Sequence, residues 1–236
     1  MEKPYQKIAI QECGEALIAI PEDLFLMENP PPYQKLGADY GGKSPYYLRQ
    51  RVVDGLIVAQ EKLQQLKPQW RLKIFDAYRP IAVQQFMVDY TFKQVCEMKG
   101  FNQGQLNSAQ EKEVYEEVYK IWAIPSHNPL TPPPHSTGAA VDLTLWDEKG
   151  QMVDMGGEID ELSERSHPNY YQHRPNSLEQ RYHYHRQILL QAMNAGGFLR
   201  HPGEWWHFSH GDQMWAWLQN SINPSLRAIA KYGGVP

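Results

Sequence analysis

The chain has 236 residues, which is enough for a sizeable core, and we expect residues 1–236 to form a single domain. Hydrophobic residues make up 42% of it and charged residues 21%, a composition that excludes wholesale disorder. The formal net charge of -4, without a dense Lys/Arg stripe, excludes an ordinary nucleic-acid-binding surface.

The amino-terminal sequence predicts the compartment of the protein, and the compartment in turn predicts the redox state of its two cysteines. The chain starts without a basic segment followed by an apolar run, and no window reaches about 18 consecutive apolar residues. We therefore expect a cytoplasmic protein that neither carries a secretory signal nor contacts a membrane. In that compartment Cys13 and Cys96 are predicted to be free thiols.

In the first half of the chain, hydrophobic periodicity and Pro/Gly content predict a mixture of strands and helices. In order, we expect strands at 7–10 and 16–20, a Pro- and Gly-rich loop at 28–45, a helix at 47–66, a strand at 71–77 and a helix at 80–99. Pro80 suits the start of the last helix, because proline is tolerated in a first turn.

The second half continues in the same irregular alternation. In order, we expect a helix at 108–121, a Pro-rich loop at 125–137, a strand at 140–146, a polar segment at 151–174, a helix at 177–195, an aromatic strand at 204–210 and a short helix at 212–220. This order favours an α+β fold, a small and mostly antiparallel sheet with flanking helices, over a doubly wound sheet.

Asp142 lies within a predicted strand whose neighbours are apolar. Val141 and Leu143 take one face of that strand, which leaves Asp142 on the other. Burying an unpaired carboxylate is costly, so Asp142 needs a metal ion, an arginine or backbone N–H groups as a partner. His135 is the first candidate for sharing a metal with it, since neutral imidazole is the commonest transition-metal ligand.

The segment EWWH at 204–207 contains a second candidate pair. His207 would complete a site of two histidines and one aspartate, which leaves the fourth zinc position open, and Glu204 could take a proton from water. In an ideal strand Glu204 and His207 point to opposite faces, so a bulge or an irregular start of the strand is required. The alternative is an aromatic edge strand with a surface glutamate and a packed histidine.

Four motifs follow one another between about residues 40 and 210. They are FDAYRP at 75–80, HSTGAAVDLTL at 135–145, DMGGEID at 154–160 and EWWH at 204–207. In this order they resemble the motifs of the D-alanyl-D-alanine dipeptidases, zinc enzymes known from vancomycin resistance and bacterial wall metabolism. The resemblance implies an α+β fold with the zinc in a central cleft beside a small antiparallel sheet.

Residue by residue, the resemblance implies one zinc ion per chain, bound by His135, Asp142 and His207. It also implies that Glu204 is the catalytic base and that Arg79 stabilises the developing oxyanion. The expected substrate is D-alanyl-D-alanine or a similar short dipeptide.

Three further residues are implied to contact substrate. Asp160 matches the carboxylate that binds the free ammonium group, with Asp154 and Glu158 as neighbouring alternatives. Tyr40 falls where a substrate-covering segment would lie, although a turn at this glycine-rich place explains the sequence equally well. Ser136 is the remaining candidate for a substrate contact.

One departure concerns the positions before His135. The family commonly has serine there, and one serine helps to hold substrate, whereas this chain has Pro133 and Pro134. Two other functions stay open: a D,D-carboxypeptidase that acts on peptidoglycan precursors, and a non-catalytic binding domain stabilised by zinc. The acidic loop argues against the first, and the presence of both Glu204 and Arg79 argues against the second.

Overall fold

The computed structural model describes residues 3–235. Their helices are α1 (Pro32–Lys35), α2 (Gln50–Leu66), α3 (Ile81–Lys99), α4 (Ser108–Val118), α5 (Ser177–Ala195) and α6 (Gln213–Ile222). Their strands are β1 (Leu17–Ala19), β2 (Leu26–Met27), β3 (Tyr47–Arg49), β4 (Arg71–Asp76), β5 (Ala140–Trp146), β6 (Leu199–Arg200) and β7 (His207–Ser209). The predicted α+β class is confirmed.

Five strands form the main sheet, in the order β2-β4-β5-β7-β6. Only the pairing of β2 with β4 is parallel, so the expectation of a mostly antiparallel sheet is confirmed. The two remaining strands, β1 and β3, pair antiparallel with each other in a separate ribbon.

In the first 70 residues, three of the predicted segments differ from the structure. Residues 7–10 do not form a strand, because Pro4–Lys7 is a 3-10 helix and Ile10 makes only an isolated bridge to Ala230. The predicted helix at 47–66 begins later, since its first three residues pair with β1 as β3. The predicted loop at 28–45 contains the short helix α1, which starts at a proline.

The two faces of the main sheet have different roles. Val141, Leu143 and Phe208 point into a hydrophobic core that also contains Leu56 of α2 and Leu189 of α5. The residues that alternate with them, among them Asp142 and His207, point to the opposite face. The apolar residues of β5 thereby fix which side of the sheet receives the polar ones.

A β-bulge in β4 moves one acidic residue onto this polar face. Ile74 pairs with Leu143 of β5, but the register shifts before Asp76, which pairs with Asp142 instead of Val141. Without the shift, Asp76 would point into the core beside Ile74. The bulge therefore places Asp76 next to Asp142, where its carboxylate is fully buried.

A second hydrophobic cluster flanks the polar face. It contains buried side chains of α3 and α4 together with Tyr33 and Trp122. Both cysteines are free thiols as predicted, Cys13 at the surface and Cys96 in this cluster. No helix in residues 3–235 is long and apolar enough to cross a membrane.

Candidate active site

A single 3-10 turn, Pro134–Thr137, presents His135 immediately before β5. Gly138 ends this turn with a φ of +70°, and a Cβ at this position would collide with the Leu17 side chain. Only glycine fits both requirements. The His135 ring is oriented by Ala77, since its Nδ1 lies 2.7 Å from that carbonyl oxygen. Nδ1 is then the protonated nitrogen, and Nε2 is the one with a free lone pair.

Asp142 and His207 lie opposite each other on β5 and β7. Asp142 Oδ1 is 3.0 Å from His207 Nδ1, and His135 Nε2 is 3.1 Å from the same nitrogen. His135 Nε2 is also 3.2 Å from Asp142 Oδ2. All three residues are buried, and their potential ligand atoms lie within 4.8 Å of one another.

The protonation states of this cluster suit a cation. Burial alone would raise the pKa of Asp142, but the adjacent His135 and His207 lower it, so Asp142 is ionised. Burial lowers the pKa of His207, which favours its neutral form. Two imidazole nitrogens and a carboxylate oxygen are the donors that a catalytic zinc site uses, so these residues fit a divalent metal ion.

The second nitrogen of His207 points to a pair of polar residues that the sequence did not indicate. His207 Nε2 lies 3.4 Å from Ser209 Oγ, whose hydroxyl donates to Asp212 Oδ2 at 3.0 Å. Because Ser209 donates to Asp212, it accepts from Nε2–H of His207. This arrangement leaves Nδ1 of His207 unprotonated toward Asp142 and His135.

Arg79 follows β4 and is held by several acceptors. Its Nε donates to Asp76 Oδ2 at 3.0 Å, its Nη1 donates to Gln84 Oε1 at 2.9 Å, and its Nη2 lies 3.3 Å from Asp142 Oδ2. The guanidinium carbon also lies 5.0 Å from the centre of the Trp122 ring. Arg79 is therefore a buried cation with a fixed orientation beside the cluster.

Tyr33 connects Arg79 to Asp160. Its hydroxyl accepts from Arg79 Nη2 at 3.0 Å and donates to Asp160 Oδ2 at 2.9 Å. Burial, with the nearby charge of Asp142, raises the pKa of Asp160 to about 7. The alternatives, Asp154 and Glu158, are exposed and line a different pocket.

Glu204 precedes β7 and is not part of it. In a regular strand the side chains of Glu204 and His207 would point to opposite faces. Because the segment before His207 is irregular, both side chains line one cavity. Glu204 Oε2 is 3.9 Å from His207 Nδ1, and Oε1 is 3.4 Å from His201 Nδ1. Burial, together with Asp142 and Asp160, raises the pKa of Glu204 well above its usual range.

His201 is a second polar contact of Glu204. Burial, with the nearby His207 and Lys3, lowers the pKa of His201 to about 3, so this ring is neutral. Its Nδ1 accepts from the Gly203 N–H at 3.2 Å and therefore cannot donate to Glu204. Two acceptor atoms, His201 Nδ1 and Glu204 Oε1, therefore lie 3.4 Å apart, which favours a proton on that carboxyl group.

One cavity contains most of the predicted site residues. Its lining includes His135, Asp142, His207, Glu204, Arg79 and Asp160. Among the described residues, Tyr40 and Ser136 are not part of this lining. The Tyr40 hydroxyl donates to Asp76 Oδ1 at 3.1 Å, and the Ser136 hydroxyl donates to the Arg79 carbonyl at 2.8 Å. Ser136 therefore contacts the backbone of Arg79, and Tyr40 contacts Asp76, which binds the Arg79 side chain.

Comparison with known proteins identifies the family. A protein-family profile described as D-ala-D-ala dipeptidase, of the M15 peptidases, matches residues 27–224. The chain belongs to this family. It is therefore a peptidase of a metallopeptidase family, whose members depend on a metal ion.

Two relatives agree with this membership of the dipeptidase family. A D-alanyl-D-alanine dipeptidase of Synechocystis sp. is 55% identical over 99% of this chain and 97% of its own length. A D-alanyl-D-alanine dipeptidase of Escherichia coli is 45% identical over 31% of this chain and 36% of its own length. The solved structure of the LD-carboxypeptidase LdcB covers 94% of this chain and 81% of its own, with 15% identity and a TM-score of 0.46.

Several residues of this dipeptidase-family site were missed by sequence reasoning. Tyr33, Ser209, Asp212 and Lys3 contact or line the site, and none of them belongs to a motif that indicated a function. Tyr33 had one available signal, since it lies in the predicted Pro- and Gly-rich loop at 28–45, and long loops in compact domains are often binding loops.

Proposed function

We propose that this peptidase hydrolyses D-alanyl-D-alanine, with one zinc ion per chain and Glu204 as the general base. The main support is that three potential metal ligands, a carboxylate outside that group and a fixed arginine line the same cavity. Membership of the D-alanyl-D-alanine dipeptidase family supports D-alanyl-D-alanine as the substrate.

The donor set supports zinc as the metal. Two histidines and one carboxylate leave a fourth tetrahedral position for water or substrate, as catalytic zinc sites require. When bound, zinc would lower the pKa of a water molecule and polarise the scissile carbonyl group.

Glu204 is placed to move the proton. Its carboxylate takes a proton from the attacking water and returns it to the nitrogen of the leaving D-alanine. The raised pKa of Glu204 makes its carboxylate a stronger base than an exposed one, which favours uptake of the proton from water. The neutral His201 beside it favours the protonated form between these steps.

Arg79 supplies positive charge for the oxyanion of the tetrahedral intermediate. Its hydrogen bonds to Asp76, Gln84 and Tyr33 keep the guanidinium in position before substrate arrives. A donor that is fixed in this way contributes roughly 3–4 kcal/mol to lowering the activation barrier.

Asp160 would bind the free ammonium group of the dipeptide. The carboxylate lines the cavity and is oriented by the Tyr33 hydroxyl. A longer peptide would place an uncharged amide against Asp160, which leaves the carboxylate without its ionic partner. Asp160 therefore limits the enzyme to dipeptides in this proposal.

The test is hydrolysis by the purified, zinc-loaded protein. It is incubated with D-alanyl-D-alanine, L-alanyl-L-alanine and a wall pentapeptide that ends in D-alanyl-D-alanine, and the released amino acid is quantified. We expect release from the first peptide only. Release mainly from the pentapeptide would instead show a D,D-carboxypeptidase, and no release from any peptide would favour a non-catalytic domain.

A further inference from the structure

A dipeptide has two charged ends, and the proposed function accounts for only one of them. Asp160 faces the ammonium group, but the α-carboxylate on the other side of the scissile bond also enters the cavity. That carboxylate meets a lining in which Asp142, Asp160 and Glu204 are acidic. Placing it there without a cation is unfavourable, because like charges in a cavity of low polarity repel each other strongly.

Three cationic side chains line the cavity: Arg79, Lys120 and Lys3. Arg79 is held by Asp76 and Asp142. The Lys120 side chain is 63% exposed, and its Nζ lies 2.5 Å from Glu117 Oε2. Both cations therefore already have anionic partners.

Lys3 differs from these two. Its Nζ donates to the Tyr119 carbonyl oxygen at 2.6 Å in a partly buried position. Among residues 3–235, the contact of this ammonium group is that carbonyl, and no ion pair joins it to a carboxylate. Glu204 lines the same cavity as Lys3; burial lowers the pKa of Lys3, and the charge of Glu204 raises it.

The position of Lys3 is well defined by its surroundings. Its backbone N–H donates to Gln6 Oε1 at 2.8 Å, and the Gln213 side chain of α6 donates to the carbonyl oxygens of Gln6 and Ile8. Tyr5 of the same 3-10 turn is buried. The amino-terminal turn is thus fastened to α6 and presents Lys3 to the cavity.

The two residues before His135 offer no backbone N–H to a carboxylate. Pro134 lines the cavity next to His135, and Pro133 precedes it. Neither proline has a backbone N–H to donate.

We propose that the ammonium group of Lys3 binds the α-carboxylate of the substrate's C-terminal residue and makes a free C-terminus a requirement for hydrolysis. This inference rests on the proposed function. Asp160 and Lys3 would then recognise the two ends of a zwitterionic dipeptide, and the scissile bond would lie between them beside Glu204.

The experiment compares D-alanyl-D-alanine with its C-terminal amide, which is similar in size but lacks the negative charge. Lys3→Gln removes the positive charge and keeps an N–H donor for the Tyr119 carbonyl, whereas Lys3→Arg keeps the charge. We expect Lys3→Gln to lower kcat/KM for D-alanyl-D-alanine about 10–100-fold, mainly by raising KM. The kcat/KM for the amide should change less than about threefold. Lys3→Arg should restore most of the preference for the acid.

Lys120→Gln is the matched control, because Lys120 lines the same cavity but is paired with Glu117. It should keep the wild-type ratio of acid to amide hydrolysis. Calorimetric binding of both peptides to a Glu204→Gln variant, with and without Lys3→Gln, measures the same preference without turnover.

Equal losses on acid and amide in Lys3→Gln would show a purely structural role and overturn the inference. A loss of the preference in Lys120→Gln alone would also overturn it and assign the carboxylate to Lys120. If the wild type hydrolyses neither peptide, the proposed function itself fails, and this outcome is distinct from a wild type that cleaves the dipeptide without needing Lys3.

Discussion

Asp142 and His207 are cross-strand partners, and Asp142 Oδ1 lies 3.0 Å from His207 Nδ1. Their separation is set by the hydrogen-bonded register of β5 and β7 and not by a loop. His135 joins them from a single turn that is fastened to Ala77 and closed by Gly138. Groups on regular elements hold their geometry better than groups on loops, so the donor atoms are placed before a metal arrives.

The first prediction concerns the metal ligands. His135→Ala and His207→Ala should each reduce bound zinc from one ion per chain to almost none, because each removes one of three protein donors. His127→Ala serves as the control, since His127 is exposed and lies outside the cluster. Elemental analysis after gel filtration measures the metal content. Full zinc retention in both ligand variants would refute the assigned site.

The second prediction separates the base from the ligands. Glu204→Gln should retain zinc and lose about 100- to 10,000-fold in kcat on D-alanyl-D-alanine, because the amide cannot accept the proton. Circular dichroism and zinc content should match the wild type. A zinc-loaded variant with nearly normal turnover would show that another group is the base.

The third prediction concerns the hydroxyl behind His207. Ser209→Ala removes the acceptor that keeps the proton on Nε2 of His207, so the zinc affinity should fall by about 10–100-fold. Competition with a zinc-binding dye measures the dissociation constant directly. Ser136→Ala is the control, because Ser136 is equally buried but donates to the Arg79 carbonyl. An unchanged zinc affinity in Ser209→Ala would mean that Ser209 does not orient the ring.

The fourth prediction concerns selectivity for dipeptides. The wild type should reject N-acetyl-D-alanyl-D-alanine, and Asp160→Asn should lower kcat/KM for the free dipeptide by roughly 30-fold or more, since removing one partner of a buried charge pair costs about 2–5 kcal/mol. Zinc content should stay the same. If the wild type cleaves both peptides equally well, the ammonium group is not recognised and a carboxypeptidase becomes the better description.

The fifth prediction follows from the pKa of Asp160. Burial raises this pKa from 3.8 to about 7, so the unfolded chain loses its proton at a lower pH than the folded one. The contribution of protonated Asp160 to the free energy of unfolding is therefore complete below about pH 4, and it is lost as the pH rises through about 7. Removing the titrating group should make the metal-free protein more stable above pH 7.

We expect metal-free Asp160→Asn to exceed the wild type in free energy of unfolding by about 1–3 kcal/mol at pH 8 and to differ little at pH 4. Asparagine also suits the backbone, because residue 160 has a φ of +64° and asparagine tolerates the left-handed region. Urea denaturation at both pH values measures the difference. Asp54→Asn, an exposed change on α2, should show no such pH dependence.

Local signals were sufficient for the regular elements. The predicted helix at 177–195 and the predicted strand at 140–146 have the same bounds as α5 and β5. The helix is capped by the Asn176 side chain, which accepts from the Leu178 N–H, and it ends at Gly196. Such caps and apolar runs act over a few residues, which is why they can be recognised in a single sequence.

The contacts between distant segments could not be predicted in this way. Tyr33 reaches Asp160 across 127 positions of the chain, and Lys3 reaches the Tyr119 carbonyl across 116. These pairings depend on how α1 and the amino-terminal turn pack on the rest of the molecule. The odd spacing of Glu204 and His207 required a bulge or an irregular start of the strand, and the structure shows the second, because Glu204 lies in the irregular segment before β7.

The bulge in β4 has a consequence for how this protein tolerates sequence change. Asp76 points to the polar face, where it accepts a hydrogen bond from Arg79, because the extra residue Phe75 shifts its pairing partner from Val141 to Asp142. A regular pairing that kept Phe75 would place Asp76 opposite Val141 and turn its carboxylate toward the hydrophobic core, leaving Arg79 without that partner. A deletion of Phe75 would instead keep Asp76 opposite Asp142 in an unbroken ladder, so this stretch should tolerate the loss of one residue better than a shift of its register against β5.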